Sequence, residues 1–257
     1  MPALWIAIAA LLLAGGAPAA VSAPHIAAGP RPQSAPQQLE YRIAWNGIPA
    51  AGATVAIKPE GTEGRSGYAV EATASTNRFV DLFWSFRGTA KATVLADGLE
   101  PLQYVYRRRT RDVQQVTRID FDPDADLARA VSIKGEQRRE IAVEGESIVD
   151  PITAIVRAQL SGAKSGDVLR YEVFTGESRY RVQLTIGGPD SIEVPAGRFR
   201  ALRVVPQVWK IGRDERLDER LRNATIWVSD DPAHTVLRIR SEVMVGAVTL
   251  DLVRLDA

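Results

Sequence analysis

From residue 39 onward, apolar and polar side chains alternate with a period of two, in runs closed by turn-forming residues. Such alternation places successive side chains on opposite faces of a strand. Tyr41, Ile43 and Trp45 fall on one face of the first run, with Arg42, Ala44 and Asn46 on the other, and Asn46-Gly47 is a strong hairpin signal. Ala53, Val55 and Ile57 continue the pattern, Gly61, Gly64 and Gly67 mark a loose turn, and Tyr68, Val70, Ala72 and Ala74 alternate again. Residues 86–95 read as the next strand. After the corner Asp97-Gly98-Leu99-Glu100-Pro101, Tyr104, Tyr106 and Arg108 share one face of a strand, and Val105, Arg107, Arg109 and Arg111 share the other. Val113, Ile119 and Phe121 lie on its partner, Asp122-Pro123-Asp124 turns the chain, and residues 128–133 and 139–143 are two further strands.

The second half repeats the design. Leu169, Tyr171 and Val173 form one apolar face, and Tyr180, Val182, Leu184 and Ile186 another. Gly187-Gly188-Pro189-Asp190 reads as a turn leading into residues 191–206, two strands folded about Pro195-Ala196-Gly197, where Pro presets φ and Gly permits positive φ. Residues 208–223 are highly charged and suit either a long hairpin loop or a polar strand extension. Residues 224–228, 236–240 and 243–253 complete the strands, with Asp230-Asp231-Pro232 turning the first pair and Ser241-Glu242 bending into the last.

Two stretches break the alternation. Residues 77–84, Asn-Arg-Phe-Val-Asp-Leu-Phe-Trp, suit one helical turn or a bulge. Residues 150–161 read as the one convincing helix: Asp150 is an N-cap acceptor, Pro151 fits the first helical position, and Gly162 follows the end. Ile152, Ile155, Val156 and Leu160 make its apolar stripe, which would cover an open part of a sheet or one mouth of a barrel. Many short strands with turn chemistry between them predict an all-β, mostly antiparallel barrel or sandwich with one central helix. Residues 39–257 would form one antiparallel β domain, either undivided or as two similar halves joined by that helix.

The N-terminal region adds a compartment. Residues 4–13 are a continuous apolar run followed by small residues, which predicts a secretory signal peptide over 1–19, cut after Ala17-Pro18-Ala19 or as late as residue 23. The run is too short to span a membrane, which takes roughly 20 residues. Residues 20–38 carry Pro24, Pro30, Pro32 and Pro36 and read as a Pro/Ala-rich linker. The expected location is therefore the periplasm, with no transmembrane span in the mature chain. Composition then removes whole classes of chemistry. With 32 basic and 31 acidic side chains, the net charge of +1 argues against a nucleic-acid partner. The absence of Cys excludes disulfides, thiolate zinc sites and cysteine nucleophiles.

Five motifs in order carry a family resemblance: residues 41–45 with Asn46-Gly47 and Gly52; Asp97-Gly98-Leu99-Glu100-Pro101; Asp150-Pro151; residues 193–201, Glu-Val-Pro-Ala-Gly-Arg-Phe-Arg-Ala; and Trp227-Val228-Ser229-Asp230-Asp231-Pro232. Together they resemble the DUF3108 family of exported bacterial proteins of unknown function. The resemblance covers roughly residues 39–255. It implies an envelope-associated, mostly antiparallel β protein and implies no activity.

Candidate chemistry is sparse. His234, beside Asp230 and Asp231, lacks the further ligands that a metal site requires and reads as part of a turn; no metal or cofactor is expected. Glu172, Glu177, Glu193 and Asp251 are the carboxylates a hydrolase could draw on, but nothing in their spacing pairs them. Arg107 and Arg109 beside Tyr104 and Tyr106 could bind an anionic glycan or lipid headgroup, or could form a solvated hairpin. Phe79, Phe83 and Trp84 either line a pocket for an apolar ligand or plug one barrel end. The leading expectation is a non-enzymatic exported β protein that binds a hydrophobic or anionic envelope component. A periplasmic hydrolase using Asp or Glu, and a structural or chaperone-like partner of other envelope proteins, are the alternatives.

Overall fold

The computed structural model describes residues 37–62, 65–212, 214–219 and 223–256. The expected signal peptide and all but the last two residues of the linker lie outside them. The described residues build one sixteen-stranded sheet. Its first half comprises β1 (Gln37–Trp45), β2 (Ile48–Thr62), β3 (Arg65–Thr76), β4 (Phe86–Leu95), β5 (Pro101–Thr110), β6 (Gln114–Asp122), β7 (Leu127–Lys134) and β8 (Gln137–Glu144). Its second half comprises β9 (Ile148–Val149), β10 (Val168–Phe174), β11 (Arg179–Val194), β12 (Gly197–Ile211), β13 (Leu217–Glu219), β14 (Ala224–Ser229), β15 (Val236–Glu242) and β16 (Ala247–Asp256). Two helices interrupt the strands, α1 (Arg78–Asp81) and α2 (Pro151–Gln159).

The short turns dictate the topology. Each connects antiparallel neighbours, so the chain starts mid-sheet at β1 and meanders outward to β8. It then crosses by β9 and α2 to the opposite edge and meanders back from β10 to β16, which pairs with β1. Among the described residues, only β9 and β10 run parallel. The two edges are tied together across the interior. The β10–β11 turn presses Gly176 against the β6–β7 face, and Gln115 of β6 donates to Glu177 at 2.8 Å. The architecture is thus an all-β, barrel-like antiparallel sheet with a helix inside.

Several strands are longer than the expected short runs, because local irregularities absorb what the sequence pattern marks as turns. β11 spans 16 residues: Gly187-Gly188-Pro189 is a bulge within it, not a turn. A side chain at Gly187 would come within 2.8 Å of Arg203 O, so glycine lets the two strands stay paired. β2 carries a bulge at Ala50, opposite the Ile43–Ala44 step of β1; Ile43 and Ala44 are buried, and Trp45 at the end of β1 is partly exposed. The charged 208–223 stretch divides: Val208, Trp209 and Ile211 are buried in β12, and β13 pairs back on them. Residues 243–246 form the turn into β16, later than the expected bend at Ser241-Glu242.

Helix α2 begins as expected. Asp150 accepts the amides of Ile152 (2.8 Å) and Thr153 (3.0 Å) and is fully buried. Its first turns are enclosed, with Pro151, Ile152, Thr153, Ala154 and Val156 all buried. Ile152 and Val156 pack with Val94, Tyr104, Ile119 and Phe174 in the core under the first half. Ala154 faces the other way, onto Val173, Val182 and Val208 of the second half. The helix therefore packs between the cores of the two halves.

Candidate functional site

On its Ala-bearing side, α2 does not fill the space available. Ala154, Ile155 and Ala158 face a sheet surface made of Leu169 and Tyr171 from β10, Leu184 and Ile186 from β11, Val204 from β12 and Ile226 from β14. Between them lies an apolar pocket of about 80 Å3, open to solvent. Apart from Tyr171, Gln159 and His234, its walls are aliphatic. Strand alternation supplies the lining, because every second residue of β10, β11, β12 and β14 points at the helix. The two small residues on α2 leave the gap.

One end of the cavity is latched. His234 sits in the β14–β15 turn with a positive φ of 42°, which aims its ring at the C-terminus of α2. His234 Nδ1 lies 3.0 Å from Gln159 O, and Gln159 Nε2 donates to His234 O at 3.3 Å. Asp231 is occupied within the same turn, accepting from Ser229 Oγ and the Ala233 amide. The Asp-Asp-Pro-Ala-His stretch is thus a turn that holds a helix end. Tyr171 adds the one buried hydroxyl on the wall; burial pushes its phenol up to about 12, so it stays a neutral hydrogen-bonding group across the physiological range.

The residues singled out from sequence lie elsewhere. Tyr104 and Tyr106 point inward from β5, where burial drives both phenols well above their ordinary range. Arg107 and Arg109 point outward from the same strand, so the pleat keeps them apart from the tyrosines. The arginine sharing the tyrosines' face is Arg108, whose Nε is buried without a partner. Phe79 on α1 and Phe83 just after it meet edge to face, 65% and 70% exposed, while Trp84 stacks on Phe86. The α1 aromatics are displayed at the surface and plug nothing.

The carboxylates are engaged in pairs: Glu172 with Arg179 at 2.6 Å, Glu193 with Arg198 at 2.9 Å, and the buried Asp251 with Arg238. Sequence reasoning missed the cavity because its lining comes from six separate elements and the turns between them. The recognisable signal was the pair of alanines opposite Ile152 and Val156 on α2.

Residues 40–253 match the family model described as protein of unknown function DUF3108. The chain belongs to this family. No curated protein matches it in sequence. Among solved structures it is similar to a β-barrel-like protein of domain of unknown function DUF1849 from Brucella abortus, with a TM-score of 0.54 and 9% identity over 87% of this chain and 98% of that one. A protein described as exported, with a YmcC-like fold, from Bacteroides fragilis gives 0.40 and 9% identity over 89% and 98% of the two chains. A protein described as a lipoprotein from Parabacteroides distasonis gives 0.37 and 11% identity over 89% and 97%. At these identities the first likeness concerns the fold alone. Among the described residues of this DUF3108 protein, no helix is long and apolar enough to cross a membrane.

Proposed function

We propose that this DUF3108 protein is a non-enzymatic periplasmic binding protein for an envelope lipid, with the lipid's apolar portion held in the cavity beneath α2. The observation that carries the reading is an aliphatic pocket beneath α2 that opens to solvent. An empty apolar space of this kind costs packing energy, because wall atoms lose their contacts. A flexible hydrocarbon chain restores those contacts with no demand for directed hydrogen bonds. The Gln159–His234 latch and the Tyr171 hydroxyl offer polar groups to the end of a chain lying along the sheet. Export rests on the N-terminal apolar run and its small-residue cleavage pattern.

Native mass spectrometry of the protein purified from the periplasm tests this reading. One equivalent of a lipid-sized mass should travel with the wild type and be missing from Ala158→Phe, which fills the cavity. A wild type free of adducts that also fails to take up added fatty acid would remove the proposal.

A further inference from the structure

The end of the sheet away from the cavity latch is lined by exposed apolar turn tips. Ile48 opens β2 next to the β1–β2 turn, Phe79, Leu82 and Phe83 lie on and just after α1, and Met244 and Val245 in the β15–β16 turn. These turns belong to neighbouring strands and are laced into one ridge. Trp45 Nε1 donates to Val245 O at 2.8 Å, the Ala247 amide to Asn46 Oδ1 at 2.8 Å, and Asn77 Nδ2 to Pro49 O at 2.7 Å. Arg111 in the β5–β6 turn extends the row, donating to Leu82 O at 3.2 Å.

The presentation of α1 is fixed. Asn77 caps it, accepting the Val80 amide at 2.9 Å. Asp81 accepts from Thr76 Oγ1 at 2.5 Å and from both terminal nitrogens of Arg87, at 3.0 and 2.6 Å, and the Arg87 and Thr76 bonds hold its carboxyl at about 2. This clamp holds α1 with Phe79, Leu82 and Phe83 facing water.

Cations stand beside the apolar tips. Arg78 on α1 and Arg109 on β5 are exposed and, among the described residues, make no ion pair; with Arg87 and Arg111 they outnumber Asp81 and Asp112. In a chain with a net charge of only +1, this is a local concentration. Convex apolar tips backed by arginines match a lipid surface, where apolar side chains enter the boundary between headgroups and acyl chains while guanidinium groups reach phosphate.

We infer that this ridge, built on Phe79, Leu82, Phe83 and Met244 with Arg78 and Arg109 behind them, docks the protein on an anionic membrane surface. It does not rest on the cavity reading: the ridge lies at the Glu242 end of β15 and the cavity latch at the Val236 end.

Sedimentation of the full chain with phosphatidylcholine vesicles, with and without phosphatidylglycerol, tests the inference. The wild type should bind the mixed vesicles and bind pure phosphatidylcholine at least about fivefold more weakly, given about 1 kcal/mol per surface cation. Phe79→Ser with Phe83→Ser should lower binding by more than about tenfold. Arg78→Ser with Arg109→Ser should reduce only the component that depends on phosphatidylglycerol. Ala158→Phe should bind as the wild type does, which separates this site from the cavity. All variants should keep the wild-type near-ultraviolet circular dichroism. No vesicle binding, or binding indifferent to the Phe79/Phe83 pair, overturns the inference. A dimer in sedimentation equilibrium that is lost in the Phe79/Phe83 variant, without vesicle binding, overturns it in favour of self-association.

Discussion

Asp150 carries more than its capping role. Burial lifts its carboxyl from 3.8 to about 6, against the opposing pull of the Thr153 hydroxyl and the Thr153 and Ile152 amides. Because the folded group titrates higher, the fold binds this proton more tightly than the unfolded chain does. The stabilising contribution is complete below 3.8 and is lost as pH rises through about 6. Wild-type stability relative to Asp150→Asn should therefore fall by on the order of 2 kcal/mol from acid to neutral pH, measured by urea unfolding. A difference that stays flat with pH would contradict this. Gly176 presents a second single-residue dependence. Its φ is +82°, and a methyl group there would lie 2.3 Å from Thr117 Cγ2. Gly176→Ala should cost about 2–3 kcal/mol in urea unfolding, and Thr117→Ser, by removing that methyl, should recover part of the loss. The Asp150 cap was legible in the sequence, because Asp-Pro before an apolar stripe is a local signal. The demand on Gly176 was not, since Thr117 is far away in the chain and meets it only when the two edges of the sheet are tied together.

At the scale of elements, strand alternation and turn chemistry were enough to mark most strands and both departures from them. One misreading has a clear physical cause: a bulge interrupts the alternation of a strand without ending it, so Gly187-Gly188-Pro189 looks like a turn yet lies inside β11. The aromatic run 79–84 was equally ambiguous, because burial and display have the same composition; the Asp81–Arg87 clamp decides between them. Helix α2 is the element on which the interior depends, since it contacts the cores of both halves. Ile152→Ala should destabilise by about 2–4 kcal/mol in urea unfolding, whereas the same truncation at the exposed Phe83 should leave stability within about 0.5 kcal/mol.

At the scale of the molecule, two outward meanders from the paired β1 and β16 surround one buried helix, and an imperfect fit between helix and sheet leaves the cavity. Neither the sheet's closure nor this misfit is encoded in a local pattern, so the cavity was invisible to sequence reasoning while the fold class was readable. The account stands on whether that space accepts hydrocarbon. Titration of a fluorescent fatty acid into the purified chain measures this directly. The account predicts saturable one-to-one binding in the wild type and at least about a tenfold loss in Ala158→Phe, with unfolding no earlier than in the wild type because the ring fills the void. Absent binding, or equal binding by the wild type and the filled variant, would contradict it.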